Sequence, residues 1–233
     1  MTVSSSPVQS RVIAAFDFDG TLTARETSLP FVLFAQGTVR GWRQVVLLSP
    51  LFGLDLLTAA WNEKISSVRG VKPLGSVRGR WEGNAHQRIL RHCFSGISGE
   101  RLRELGRRFA DREIGRFVRS AGLRRLRWHK QRGHCCVLIS ASLDVYLVPW
   151  GKQVGFDHVL GTQLELDQQG VVTGRIAGET CWGHAKVRRL RSHFGPLEQY
   201  TLYAYGDSEG DRELITAADH GFLVHGDFEI SEQ

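Results

Sequence analysis

Aspartates follow two apolar runs that are typical of buried strands. Asp17 and Asp19 come directly after residues 12–16, and Asp207 comes after residues 202–205. Side chains two residues apart in a strand lie on the same side of the backbone, so Asp17 and Asp19 share one small space. Two ionised carboxylates persist there only if a cation neutralises them or one is protonated. Because Mg²⁺ prefers such oxygen ligands, these residues predict a magnesium site.

Each acidic group also has an alternative interpretation when it is taken alone. The first is typical of a strand that ends in a turn, where an Asp accepts backbone N–H bonds. The second, which continues to Asp211, is typical of a helix N-terminus with acidic residues in its first turn. The two groups together favour the metal site, provided that the fold brings them to one place.

The surrounding pattern predicts a parallel sheet covered by helices. A third apolar run, residues 135–139, ends at Ser140, and helical spacing follows the second and third runs. Repetition of strand, loop and helix predicts an α/β fold with a doubly wound, Rossmann-like parallel sheet. The carboxyl ends of such strands meet in one crevice, so residues 17, 140 and 207 are expected to converge. Residues 164–176 have the alternation and turn residues of a hairpin.

Composition places the chain among globular proteins of a reducing compartment. Its 233 residues are 42% hydrophobic and 23% charged, values that exclude collagen-like and disordered classes. The four cysteines, at 93, 135, 136 and 181, have no C-x-x-C spacing, which disfavours structural zinc and disulfide frameworks. The first ten residues contain no basic start followed by an apolar run, so we expect a cytoplasmic protein.

Residues 101–132 hold 12 Lys and Arg against 3 Asp and Glu. Apolar positions recur there at helical spacing, which predicts an amphipathic helix with an arginine-rich solvated face. The alternatives are attraction to anionic lipid or to nucleic acid, and no interleaved aromatic platform favours nucleic acid. The apolar positions are Leu102, Leu105, Phe109, Ile114, Phe117 and Val118.

The most apolar part of the chain is residues 45–61, where 12 of 17 residues are apolar. Pro50 interrupts this segment and Asp55 lies within it, so it is short of the roughly 20 apolar residues that a spanning helix needs. We favour the core of an inserted helical domain. An interfacial helix pair on a bilayer and a true span stay as alternatives, because Trp42 and flanking basic residues resemble interfacial anchors.

Four motifs in order resemble the haloacid dehalogenase superfamily of phosphohydrolases. They are Asp17-Phe18-Asp19-Gly20-Thr21, Ser140 after its strand, Lys186 in Gly183-His184-Ala185-Lys186-Val187, and Gly206-Asp207 to Asp211. The resemblance implies an α/β core formed by residues 10–23 and 118–233, with residues 24–117 as an inserted helical cap. The motif around Lys186, the hairpin before it and the cap length resemble the branch that contains phosphoserine phosphatases and the bacterial phosphatidylglycerophosphatase C type.

The resemblance implies a role for each carboxylate. Asp17 would attack phosphorus and form an aspartyl-phosphate, and Asp19 would protonate the leaving oxygen and later accept a proton from water. Mg²⁺ would be held by Asp17, Asp207 and the backbone carbonyl of Asp19. Asp211 would orient Lys186 from outside the metal site.

The resemblance also implies how the phosphate is bound. Ser140, Lys186 and the loop at Gly20 and Thr21 would bind the oxygens of the transferring group. Taken alone, Ser140 is also typical of a helix N-cap and Lys186 of a solvated helix residue. Gly210 stands where members of the family usually carry Asn.

These observations predict a Mg²⁺-dependent phosphomonoester phosphatase. A lipid phosphate such as phosphatidylglycerophosphate is favoured as substrate, because the apolar segment 45–61 and the basic stretch suit an anionic bilayer at the inner face of the membrane. The alternative is phosphoserine or another small metabolite, since Glu26 stands where phosphoserine phosphatases carry an acidic residue. A phosphate sensor phosphorylated at Asp17, or a nucleic-acid-binding module, would be the non-enzymatic alternatives.

Overall fold

The chain forms a six-stranded sheet with helices on both faces. The computed structural model describes residues 11–37 and 84–232. The sheet consists of β1 (Val12–Phe16), β2 (Cys135–Leu143), β3 (His158–Thr162), β6 (Thr201–Gly206), β7 (His220–His225) and β8 (Glu229–Glu232). Their spatial order is β3-β2-β1-β6-β7-β8, and every pair is parallel except β7 with β8. β1 therefore lies between β2 and β6, and the loops after these three strands are neighbours.

The alternation of side chains along β1 divides the core into two layers. Ala14 and Phe16 belong to the larger hydrophobic cluster, whereas Ile13 and Ala15 belong to the smaller one on the opposite face. This is the period of two that an apolar strand buried on both faces requires. The smaller cluster is covered by α6 (His184–Phe194) and α7 (Arg212–Thr216). The predicted doubly wound sheet is confirmed, with an antiparallel edge strand added.

The larger layer is formed by five helices. They are α1 (Ser28–Gln36), α2 (Asn84–Phe94), α3 (Gly99–Arg112), α4 (Ser120–Gln131) and α5 (Asp144–Val154). α3 lies close against α5, since a Cβ on Gly106 would stand 2.2 Å from the carbonyl oxygen of Val145. All helices described between residues 24 and 117 pack into this one continuous cluster.

A separate hairpin lies beside α2. β4 (Leu164–Leu166) and β5 (Val172–Ile176) pair antiparallel, as the turn residues predicted. The backbone of β5 approaches α2 so closely that a Cβ on Gly174 would stand 2.5 Å from the Cα of Arg91.

The basic stretch is two helices rather than one amphipathic helix. α3 ends at Arg112, a 3-10 turn covers Ile114–Arg116, and α4 starts at Ser120. The apolar positions through Ile114 are buried, as predicted, whereas Phe117 and Val118 are only half-buried in the connection. Most of the arginines are exposed on the outer faces of both helices.

Among residues 11–37 and 84–232, no helix has both the length and the apolar character needed to cross a bilayer. The apolar segment 45–61 lies outside the described residues. Three of the four cysteines, Cys93, Cys136 and Cys181, are buried as small apolar groups, and Cys135 is half-buried.

Candidate active site

The carboxyl ends of β1 and β6 bring a buried ion-pair cluster together. Lys186, on the first turn of α6, donates from Nζ to Asp17 Oδ1 at 2.6 Å and to Asp211 Oδ1 at 2.5 Å. Asp17 is 4% exposed, Lys186 is 2% exposed and Asp211 is fully buried. Burial disfavours the charge on Lys186, but the two carboxylates outweigh it and raise the pKa of the amine. The ammonium therefore stays charged between two carboxylates.

Asp211 is held on both of its oxygens. It lies at the third position of the 3-10 turn Glu209–Asp211, and its Oδ2 accepts the backbone N–H of Asp207 and of Ser208, both at 3.1 Å. The hydroxyl of Ser208 donates to the same oxygen at 2.8 Å. With Oδ1 engaged by Lys186, this carboxylate is fixed as an acceptor for the loop and for the amine.

Thr21 lies between the two acidic motifs. Its hydroxyl is 3.1 Å from Asp17 Oδ2 and 3.2 Å from Asp207 Oδ1. A hydroxyl has one proton and donates to one of these oxygens at a time. Asp17 and Asp207, which were predicted to converge, therefore both have a carboxylate oxygen within hydrogen-bond distance of the Thr21 hydroxyl.

The donor set suits a divalent cation. One carboxylate oxygen from each of Asp17, Asp207 and Asp211 lies within 4.8 Å of the others. Three carboxylates against the single ammonium of Lys186 leave a formal excess of two negative charges in the described cluster. Burial first, and then the charge of Asp211, raise the pKa of Asp17 to about 8. An ion of charge +2 and preference for oxygen would remove this repulsion, as Mg²⁺ does.

Asp19 has a different environment from Asp17. Its Oδ2 accepts a hydrogen bond from the hydroxyl of Ser142, and its Oδ1 lies 3.5 Å from Thr23 Oγ1. Burial, followed by the negative charge of Glu26, raises the pKa of Asp19 to about 8. The carboxyl group therefore keeps its proton to a higher pH than an exposed Asp does, and it can donate that proton.

The other predicted residues lie at the same strand edge. Ser140 is buried, and its Oγ accepts the backbone N–H of Ser142 at 3.1 Å. It is not a helix N-cap, because β2 continues to Leu143 before α5 begins. Gly20 has a φ of 84°, a conformation that favours glycine, and its N–H donates to Thr23 Oγ1. Glu26 is exposed, close enough to Asp19 to affect its pKa.

Two groups of residues around the site were not predicted. Arg119 donates from Nη1 to the carbonyl of Gly20 at 2.6 Å, which ties the start of α4 to the loop after β1. Ser142 and Tyr146 lie beside Asp19. The i, i+2 spacing of Ser140 and Ser142 was a usable signal, since it places both on one face of a strand. Arg119 offered no local signal, because it is one of many arginines in the basic stretch.

The unusual Gly210 has a steric cause. A Cβ at this position would stand 2.2 Å from Nε1 of Trp182, so the indole fills the space that a side chain would need. The carbonyl of Gly210 also accepts the N–H of Gly183, just before α6. Trp182 and Gly210 thus join the motif that carries Lys186 to the motif that carries Asp211.

Comparisons with known proteins agree with this geometry. A profile of the haloacid dehalogenase-like hydrolases matches residues 14–216, which include both acidic motifs and Lys186. The chain belongs to the haloacid dehalogenase-like hydrolase family. The predicted fold class and the predicted assignment to the phosphatases of this superfamily are confirmed.

Relatives of this hydrolase are found in several bacteria. Protein CicA of Caulobacter vibrioides is 29% identical over 208 residues, which cover 89% of this chain and 83% of CicA. A probable phosphatase of Mycobacterium tuberculosis is 27% identical, with 97% of this chain and 78% of the relative covered. A substrate-bound phosphoserine phosphatase has the same fold, with a TM-score of 0.54 and 16% identity over 93% of this chain and 86% of that one.

Proposed function

We propose that this hydrolase is a Mg²⁺-dependent phosphomonoester phosphatase that works through an aspartyl-phosphate on Asp17. The main support is the contact of buried Asp17 with Lys186 at 2.6 Å, beside Asp207. A nucleophile for phosphorus must be anionic, and a cationic amine and a divalent ion are what keep a buried carboxylate ionised. Residues 24–117 would form the helical cap over this site.

The reaction divides into two proton-balanced steps. In the first, a carboxylate oxygen of Asp17 bonds to phosphorus while the bond from phosphorus to the ester oxygen breaks, and Asp19 gives its proton to that oxygen. In the second, water attacks the same phosphorus, Asp19 takes the proton of that water, and Asp17 leaves as a carboxylate. Phosphate is released, and Asp19 is protonated again.

The remaining residues supply charge and position. Lys186 would neutralise the transferring oxygens, with Asp211 holding its Nζ, and Ser140 and the loop at Gly20 and Thr21 would bind the same oxygens. Mg²⁺, bound by Asp17, Asp207 and the carbonyl of Asp19, would offset the repulsion between the nucleophile and the phosphate dianion. Phosphoryl transfer depends mainly on this kind of positioning and charge compensation.

The variant Asp17→Asn tests the nucleophile. We expect multiple turnover of p-nitrophenyl phosphate to be abolished, while the thermal midpoint stays within a few degrees of the wild type because the amide still fits the same space. Retention of wild-type turnover by this variant would exclude the aspartyl-phosphate. The wild-type protein in the same assay separates an enzyme from a sensor, because a sensor would show no multiple turnover.

A groove at the same edge of the sheet, lined by residues other than those of the site, favours an anionic amphiphile as substrate. It encloses about 550 Å³ between α3, α5 and the start of the β4–β5 hairpin. It begins at Asp144 and Gln163, directly after β2 and β3 end, which is the edge of the sheet where Asp17 lies. The groove is lined by both basic and apolar residues, and Leu166 is 40% exposed. The basic residues are Arg103, Arg107 and Lys152, and the apolar ones include Leu102, Val145, Val148 and Leu166.

This composition suits a lipid phosphate better than a small polar one. Apolar side chains would contact acyl chains, and the cations would face the anionic headgroups of the inner leaflet, at about 1 kcal/mol for each basic residue near the surface. We therefore propose a lipid phosphate such as phosphatidylglycerophosphate as substrate and peripheral contact with an anionic membrane. The proximity of Glu26 to Asp19 supports the second candidate, phosphoserine or a similar ammonium-bearing metabolite.

A two-substrate assay separates these candidates. We expect kcat/KM to be higher for phosphatidylglycerophosphate in mixed micelles than for phosphoserine. The double variant R103Q/R107Q should lower the lipid value about 30-fold, from two charges at about 1 kcal/mol each. Arg127→Gln, which removes an exposed arginine of α4 away from the groove, is the matched control and should have no effect. Faster hydrolysis of phosphoserine, with Glu26→Gln raising its KM, would favour the second candidate.

A further inference from the structure

A chain of buried hydroxyl groups ends on Asp19. Ser142 donates to Asp19 Oδ2, and the hydroxyl of Tyr146 donates to Ser142 Oγ at 2.9 Å. Thr27 Oγ1 lies 3.3 Å from the Tyr146 hydroxyl and 3.5 Å from Ser142 Oγ. Ser142 is 3% exposed, and Tyr146 and Thr27 are fully buried. These three hydroxyls are therefore shielded from water, and they hydrogen-bond to one another, to Asp19 and to Ser28.

Counting protons fixes the direction of the chain. A hydroxyl group has one proton to donate. Since Ser142 uses its proton on Asp19, it accepts from Tyr146, and the Tyr146 hydroxyl in turn accepts from Thr27 or from Ser28. All donors thus point toward Asp19 Oδ2. A carboxyl group whose Oδ2 accepts in this way carries its transferable proton on Oδ1, the other oxygen.

The aromatic ring of Tyr146 is held rigidly. Its centroid lies 4.9 Å from that of Phe31 on α1 and 5.3 Å from that of Phe109 on α3. Thr27 immediately precedes α1, and its side chain does not cap that helix, so its hydroxyl is available to Tyr146 and to Asp19. The helices described between residues 24 and 117 thereby set the position of a hydroxyl that reaches Asp19 through one intermediate residue.

We propose that Ser142, Tyr146 and Thr27 are positioning residues that hold Asp19 Oδ2, so that Oδ1 presents the proton to the leaving oxygen. This inference rests on the proposed function, in which Asp19 is the general acid. In the first step the proton moves from Asp19 Oδ1 to the ester oxygen as its bond to phosphorus breaks, while the hydrogen bond from Ser142 stabilises the carboxylate that results. The hydroxyl chain itself neither gains nor loses a proton.

The dependence on the leaving group distinguishes positioning from a structural role. An alkoxide needs a proton to leave, whereas p-nitrophenolate leaves without one, so an impaired general acid slows alkyl esters selectively. The experiment measures kcat/KM, which reports the first step, for glycerol 2-phosphate and p-nitrophenyl phosphate with the same Mg²⁺-loaded preparation. The ratio of the two values does not depend on the fraction of enzyme that is folded.

Tyr146→Phe keeps the ring and removes the neutral hydroxyl that donates to Ser142. We expect it to lower the ratio of alkyl to aryl kcat/KM about fivefold, and Ser142→Ala, which removes a bond to a charged group, to lower it about 20-fold. Tyr200→Phe is the matched control, because it also removes a tyrosine hydroxyl, one that donates to Phe194 O at 3.2 Å near the amino end of β6. We expect its ratio to equal that of the wild type.

The variant Asp19→Asn separates failure of the inference from failure of the proposed function. If Asp19→Asn lowers both esters equally, Asp19 is not the general acid and the mechanism itself is wrong. If Asp19→Asn is selective for the alkyl ester but Tyr146→Phe and Ser142→Ala leave the ratio unchanged, the positioning inference alone is wrong.

Discussion

Protons should compete with Mg²⁺ for Asp17, and the structure gives the pH range. Burial and the charge of Asp211 raise the pKa of Asp17 from its ordinary 3.8 to about 8 in the metal-free protein. A carboxyl group with a raised folded-state pKa stabilises the fold below pH 3.8, and this contribution is lost as the pH rises through 8. The metal-free protein should therefore lose stability between about pH 4 and 8 and change little above that range. Mg²⁺, which binds the ionised form, should restore it.

The size of the effect follows from the ionised fraction. At pH 8.5 Asp17 is mostly ionised, and Mg²⁺ at about 100 times its Kd should add about 2.7 kcal/mol. At pH 6 the ionised fraction is roughly 100-fold lower, so the same Mg²⁺ concentration should add only about 0.4 kcal/mol. For a chain of this length these values correspond to rises in Tm of about 5–11 °C and about 1–2 °C.

The assay is thermal unfolding with and without Mg²⁺ across this pH range. NaCl of equal ionic strength controls for screening, and Asp207→Asn should remove most of the Mg²⁺ effect at pH 8.5. An equal Tm shift at pH 6 and pH 8.5, or no shift at either pH, would refute the competition between protons and metal at Asp17.

Three further variants test the packing around the site. Lys186→Met leaves Asp17 and Asp211 buried without their cation, so urea unfolding at pH 7.5 should show a loss of about 3 kcal/mol; a loss under 0.5 kcal/mol would contradict the buried pair. Gly210→Asn, although it restores the usual family residue, should cost about 2 kcal/mol by clashing with the indole of Trp182, and W182A should relieve part of this cost. Gly106→Ala should destabilise the protein by about 2 kcal/mol because it forces α3 from α5, whereas Gly115→Ala, which meets nothing within 4 Å, should stay near wild type in the same assay.

The sequence predicted the part of the site that depends on strand ends. Asp17 and Asp207 converge because parallel strands bring their carboxyl ends to one edge, and the apolar runs before them marked those strands. The repetition of strand, loop and helix likewise predicted a parallel sheet covered by helices.

The rest of the site and of the fold depends on contacts between residues far apart in the sequence, which hydrophobic periodicity does not encode. Thr27 meets Tyr146 across 119 positions, and the indole of Trp182 takes the place of a side chain at Gly210. Local pattern also missed the continuation of β2 to Leu143, since Ser140 marked the end of the apolar run and is typical of a helix N-cap. It missed the antiparallel β8 at the edge as well. In both cases tertiary pairing overrides local propensity.

Trapping the phosphorylated enzyme tests the central claim most directly. The wild-type protein would be mixed with Mg²⁺ and p-nitrophenyl phosphate, quenched in acid within one turnover, and treated with borohydride, which reduces an acyl phosphate to an alcohol. Peptide mass spectrometry should then find homoserine at position 17 and unchanged aspartate at 19, 207 and 211. Turnover with no reduced residue, or reduction at a position other than 17, would contradict the account.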